Sequence, residues 1–139
     1  MLLDTTTSIR AITFSDNLYP SPVRTQTFFC NTGHTLPVLT LTSEPDNFWG
    51  WEDGIFLLGP NGDPIYPHFG ANFWKDIEIP VHLEYFKNQE LVAKFDVGTK
   101  IHGGKAARSK PAKALRLLTD KNFESTGMNY SFFENKNIN

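Results

Sequence analysis

The residues best suited to chemistry lie between Ile101 and Leu117. Gly103 and Gly104 sit side by side, and Lys105, Arg108, Lys110, Lys113 and Arg116 follow them. Glycines lack a Cβ, so their N–H groups can approach a ligand closely, and cations nearby suit phosphate. The spacing is neither GxxxxGK[ST] nor GxGxxG, the two signatures with a defined phosphate geometry. The same residues also fit a tight turn leading into a solvated basic strand edge, where lysines discourage edge pairing. Both readings stand at this level.

A second group is aromatic. Trp49, Trp51 and Trp74 gather with Phe48, Phe69 and Phe73 in loop-like stretches. Exposed rings there would stack on sugars, and buried rings would cover a small sheet; large aromatics are more often buried. Glu44, Asp46, Glu52 and Asp53 suggest Ca²⁺, but the EF-hand spacing is absent, and Asp46 and Asn47 equally suit caps or Asx turns. His34, His68, His82 and His102 have no ligand spacing, and neither H-E-x-x-H nor G-x-S-x-G occurs. No catalytic residue and no metal ligand is assigned. The single cysteine, Cys30, excludes an internal disulfide and a cysteine-cluster metal site. It follows Thr27-Phe28-Phe29 with no base near it in sequence, the setting of a buried structural thiol.

The elements that must position these groups have mostly the period of strands. Residues 8–14 alternate with apolar groups on both faces, as in a sandwich strand. Residues 23–30 form the partner strand, and 38–42 a third. Ser43 and Pro45 open a short helix, with proline in the first turn where its missing N–H does no harm. Gly54–Gly59 reads as a short apolar strand, followed by a turn and a loop to Gly70. Residues 79–86 and 91–97 read as the two arms of a hairpin around a polar turn. Residues 99–102 are extended, and 112–118 are extended or briefly helical. The expected fold is mainly β: antiparallel sheets, sandwich-like, with at most one or two short helices. The expected organisation is a strand pair over 1–33, a β region over 34–121 and a polar tail over 122–139.

With 139 residues and 19 aromatics (12 Phe, 4 Tyr, 3 Trp), the chain can bury a core without staples. Its net charge of −2 argues against a general nucleic-acid binder. That sum hides a split. Residues 44–96 hold ten acidic and three basic side chains, whereas 100–121 hold seven basic and one acidic. No run of 18 apolar residues is present, so no membrane-spanning helix is expected. The first residues show no signal-peptide pattern.

Four ordered segments resemble the front part of the CotH family, the spore-coat-protein-H-like kinases of bacteria. They are Leu36–Phe48, Gly54–Gly59, Asn72–Phe86, and Ile101-His102-Gly103-Gly104 with Arg108, Pro111 and Lys113. Residues 8–29, with Ile9-Arg10-Ala11, Pro20-Ser21 and Thr27-Phe28-Phe29, resemble the last strands of the chitobiase/β-hexosaminidase C-terminal-type sandwich. Ile77, Ala107 and Ala114 stand where CotH members typically have a tryptophan and two serines. The resemblance implies ATP and Mg²⁺ as cofactors, phosphate facing Gly103, Gly104, Arg108, Lys113 and Arg116, and a location outside the cytoplasm. Family members continue past this point into the acidic residues that bind metal and act in phosphoryl transfer. The expectation is therefore a truncated or partial, non-catalytic lobe. Its partner would be the missing C-terminal lobe or a second copy. The alternative is a carbohydrate-associated or cell-surface β module that binds polysaccharide through Trp49, Trp51 and Trp74.

Overall fold

The computed structural model describes residues 2–119 and 130–132. The expected polar tail over 122–139 lies outside them except for 130–132. The fold is mainly β: two antiparallel sheets and two short helices. β1 (Thr7–Ala11) pairs with β2 (Arg24–Phe28) in a two-stranded sheet. β3 (Val38–Thr42), β4 (Ile79–Lys87), β5 (Glu90–His102) and β6 (Ala114–Leu118) follow that order in a four-stranded sheet. The helices are α1 (Pro45–Trp49) and α2 (Lys105–Arg108), with a short 3-10 helix at Asn72–Trp74. Among the described residues, no helix is long and apolar enough to cross a membrane.

The chain divides into two compact units. One comprises the chain to Thr42 together with His82–Phe95. In it Ser8 lies opposite Thr27, and Thr40 opposite Glu84. Hydroxyls run in a line through this unit: Ser8 Oγ lies 2.8 Å from Thr27 Oγ1, which lies 3.3 Å from Thr40 Oγ1. Phe29 packs edge-on against Phe86 at 4.8 Å between ring centres. Glu84 is only 1% exposed, and neither of its carboxylate oxygens has a hydrogen-bond partner. Cys30 is half-buried, with its thiol 3.6 Å from the carbonyl of Leu3. β4 and β5 are joined through Asn88 and Gln89, both at positive φ (49° and 68°), the backbone shape that tight hairpins favour because it matches strand twist.

The other unit comprises Ser43–Val81 and the chain from Asp96 onward. Its core includes Ile55, Ala71, Phe73, Ile79, Val81, Val97 and Ile101. β6 runs antiparallel to β5, from Gly98 opposite Leu118 to His102 opposite Ala114. The apolar stretch Gly54–Gly59 is not a strand. The N–H groups of Ile55 and Phe56 donate to the carbonyls of Asn47 (3.0 Å) and Phe48 (3.1 Å), so the segment folds back on the open end of α1. That satisfies carbonyls which a short helix leaves bare. Gly59 adopts φ +70°, and a Cβ there would lie 2.3 Å from Asn72 Oδ1, so glycine is required twice over.

Candidate functional site

Two surfaces of the second unit carry the chemically equipped residues. The first is the loop after β5. Gly103 has φ +106°, which turns the chain out of β5 into α2. Arg108 closes this loop: its Nε donates to the carbonyl of Gly103 at 2.8 Å and its Nη1 to the carbonyl of Phe73 at 2.9 Å. The guanidinium also lies 5.8 Å from the Trp74 ring. Lys113 Nζ donates to the carbonyl of Lys110 at 2.9 Å and sits 4.1 Å from the centre of the Phe73 ring. Partial burial pushes the Lys113 ammonium below its usual range, because desolvation disfavours the charge. Lys105 lies over Tyr66 and Phe69 at 5.8 and 5.9 Å. The basic segment is therefore laid along an aromatic loop, and cation–π contact offsets part of its charge density.

Not every residue expected to face phosphate is used inside the chain. A Cβ at Gly104 would meet nothing within 4 Å, so the chain's own packing does not require glycine there. Lys105, Lys110 and Arg116 are exposed. Arg116 pairs across the sheet with Lys100, whose ammonium binds Asp76 at 2.9 and 3.1 Å. The hydrogen bond and charge of Lys100 hold the Asp76 carboxyl below its usual range, and Arg108 and Arg116 add smaller pulls in the same direction.

The second surface is an open cleft of about 390 Å³ lined by Asp46, Asn47, Gly50, Trp51, Glu52, Asp53, Ile77 and Ile79. Trp51 is 56% exposed. Asn72 fixes its backbone, donating Nδ2 to the Trp51 carbonyl at 3.0 Å from a position only 1% exposed. Asp53 is paired with Lys75 at 2.9 Å. Among the described residues, no group of three His, Cys, Asp or Glu side chains has the geometry to hold a metal ion.

The three tryptophans separate. Trp49 is 61% exposed and leans on Phe56, with ring centres 5.0 Å apart. Trp51 lines the cleft. Trp74 is half-buried, donates Nε1 to the Pro67 carbonyl at 3.0 Å and packs on Phe69, so its ring is used within the loop. Sequence reading missed two contributions. Phe73 is the platform for Lys113 and supplies a carbonyl to Arg108, and Ile77 and Ile79 help line the cleft. Only contacts across long sequence separations reveal either role.

No protein-family model, no curated protein and no solved structure matches this chain. The function therefore rests on the geometry and on the motifs themselves.

Proposed function

We propose that the chain is a non-catalytic, β-rich lobe of a CotH-like protein that presents the loop after β5 to phosphate. The observation supporting this most is that residues from separate motif segments meet. Gly59 fits against Asn72, Arg108 ties Gly103 to Phe73, and Lys113 lies on Phe73. Motif residues scattered over some 55 positions are thus used on one another, as expected when a spacing encodes a fold. Within this reading Arg108 and Lys113 shape the loop. Gly104, Lys105, Lys110 and Arg116 are left to face the anion, with backbone N–H groups and mobile ammonium groups as donors. ATP and Mg²⁺ belong to the resemblance. No cluster among the described residues would take the metal, and no transfer step is assigned to them. A location outside the cytoplasm, and pairing with a further lobe or a second copy, belong to the same proposal.

The test is a titration of the chain with ATP and with inorganic phosphate, followed by tryptophan fluorescence, beside a coupled ATPase assay. Saturable binding is expected, lost in Lys105→Glu/Lys110→Glu and weakened in Gly104→Val, with no turnover. Absence of saturable binding removes the phosphate role. Turnover abolished by Lys113→Ala removes the non-catalytic one.

A second reading is favoured by one observation: Trp51 presents more than half its surface beside an open cleft with carboxylate and amide groups. That combination suits a polysaccharide, whose apolar ring face stacks on indole while its hydroxyls donate to carboxylates.

A further inference from the structure

We infer that the cleft beside Trp51 selects an amine-bearing sugar, a protonated amino sugar within a polysaccharide, over its neutral counterparts. This deepens the carbohydrate reading and rests on it. Asp46, Glu52 and Asp53 line the cleft, and among the described residues no lysine or arginine does. Lys75 pairs with Asp53 and also donates to the Glu52 carbonyl at 3.2 Å, whereas the carboxylates of Asp46 and Glu52 make no ion pair among the described residues. With three carboxylates against that one ammonium, the cleft carries net negative charge beside the exposed Trp51. A neutral sugar entering it displaces water from two carboxylates and returns only hydroxyl donors. An ammonium group returns charge-assisted hydrogen bonds to Asp46 or Glu52 and an electrostatic attraction to the ring. The sugar's C–H face keeps the stacking on Trp51, and Ile77 and Ile79 supply the apolar part of the wall. The volume of about 390 Å³ falls at the small end of ligand-sized clefts, enough for a short stretch of chain rather than a folded partner. A divalent cation is a poorer occupant, because these carboxylates do not converge on one point.

The experiment is calorimetric titration of the whole chain with three soluble oligosaccharide sets: glucosamine oligomers, their fully N-acetylated forms, and glucose oligomers. A lysine-rich peptide is the fourth ligand. Glucosamine oligomers are expected to bind roughly tenfold tighter than the other sugars, and the advantage should shrink as salt rises. Asp46→Asn/Glu52→Gln is expected to remove the preference while keeping weak binding of all three sugars. Trp51→Ala is expected to remove binding of every sugar. All these side chains are exposed, and circular dichroism checks that the variants fold. Equal affinity for the three sugar sets overturns the inference and leaves the carbohydrate reading standing. Absence of binding to any sugar overturns both. Tighter binding of the lysine-rich peptide than of glucosamine oligomers also overturns the inference, by assigning the charge to a protein partner.

Discussion

Replacing Arg108 by alanine should cost the fold more than any other single change in the basic segment. Its guanidinium donates to two backbone carbonyls, those of Gly103 at 2.8 Å and Phe73 at 2.9 Å, and lies over Trp74. Hydrogen bonds from a charged donor contribute about 1.5–3 kcal/mol each. Arg108 is half-buried, so water can reach part of the vacated space and the lower value applies to both bonds. The expected loss is about 3 kcal/mol, with the ring contact adding about 0.5. Lysine at this position can reach one carbonyl and should lose about half as much. The assay is urea unfolding followed by tryptophan fluorescence. For a domain of this size, the alanine variant should unfold at a urea concentration lower by about 1.5–2 M. Its melting temperature should fall by about 10 °C. An alanine midpoint within about 0.3 M of the parent's would refute the reasoning, because the two carbonyl bonds would then contribute no net stability. A variant with unchanged stability that loses phosphate binding would show that Arg108 faces the ligand instead.

Two further predictions follow from charge placement. Glu84 is buried without a hydrogen-bond partner for either oxygen, so Glu84→Met should stabilise the chain by about 1–3 kcal/mol, seen as a higher urea midpoint; destabilisation would mean the carboxylate is satisfied in solution. The Asp76 carboxyl is held below its unfolded value of 3.8 by Lys100, so its contribution is present above that pH and lost as pH falls through the lower folded value. Asp76→Asn should therefore flatten the acid limb of the stability curve below pH 3.8, and salt should shrink the difference; an unchanged acid limb would assign it to other carboxylates.

Much of the fold was legible because strands declare themselves by alternation. Residues 38–42 form β3 as expected, the hairpin lies where its polar turn predicts, and Pro45 opens α1. The misreadings share one cause. Gly54–Gly59 has the apolar run and glycine borders of a strand, but its N–H groups are claimed by the carbonyls at the end of α1, a pairing no local pattern encodes. The second hairpin arm was expected to end at Val97, yet β5 runs on through Gly98 to His102, with Gly98 buried and paired with Leu118. The site was legible as a set of residue types and not as an arrangement. Gly103 and Arg108 stand out in sequence, but that Arg108 turns inward depends on Phe73, 35 positions away. Trp51 and Asp46 were each visible as candidates. Their meeting with Ile77 and Ile79 depends on how the chain returns into β4.

The hydrogen bond from Asn72 to the Trp51 carbonyl has a consequence for how tightly a shallow cleft can hold anything. An exposed aromatic on a loose loop must be immobilised when a ligand arrives, and that lost freedom subtracts from affinity. Here the backbone beneath the ring is already fastened to a residue with almost no exposure, so the entropy of ordering that stretch of chain is spent during folding rather than at each encounter. Only the two side-chain torsions of the indole remain to be fixed. Such preorganisation lets a few contacts produce measurable binding while leaving dissociation fast, which is what the polysaccharide reading proposed above requires of this cleft.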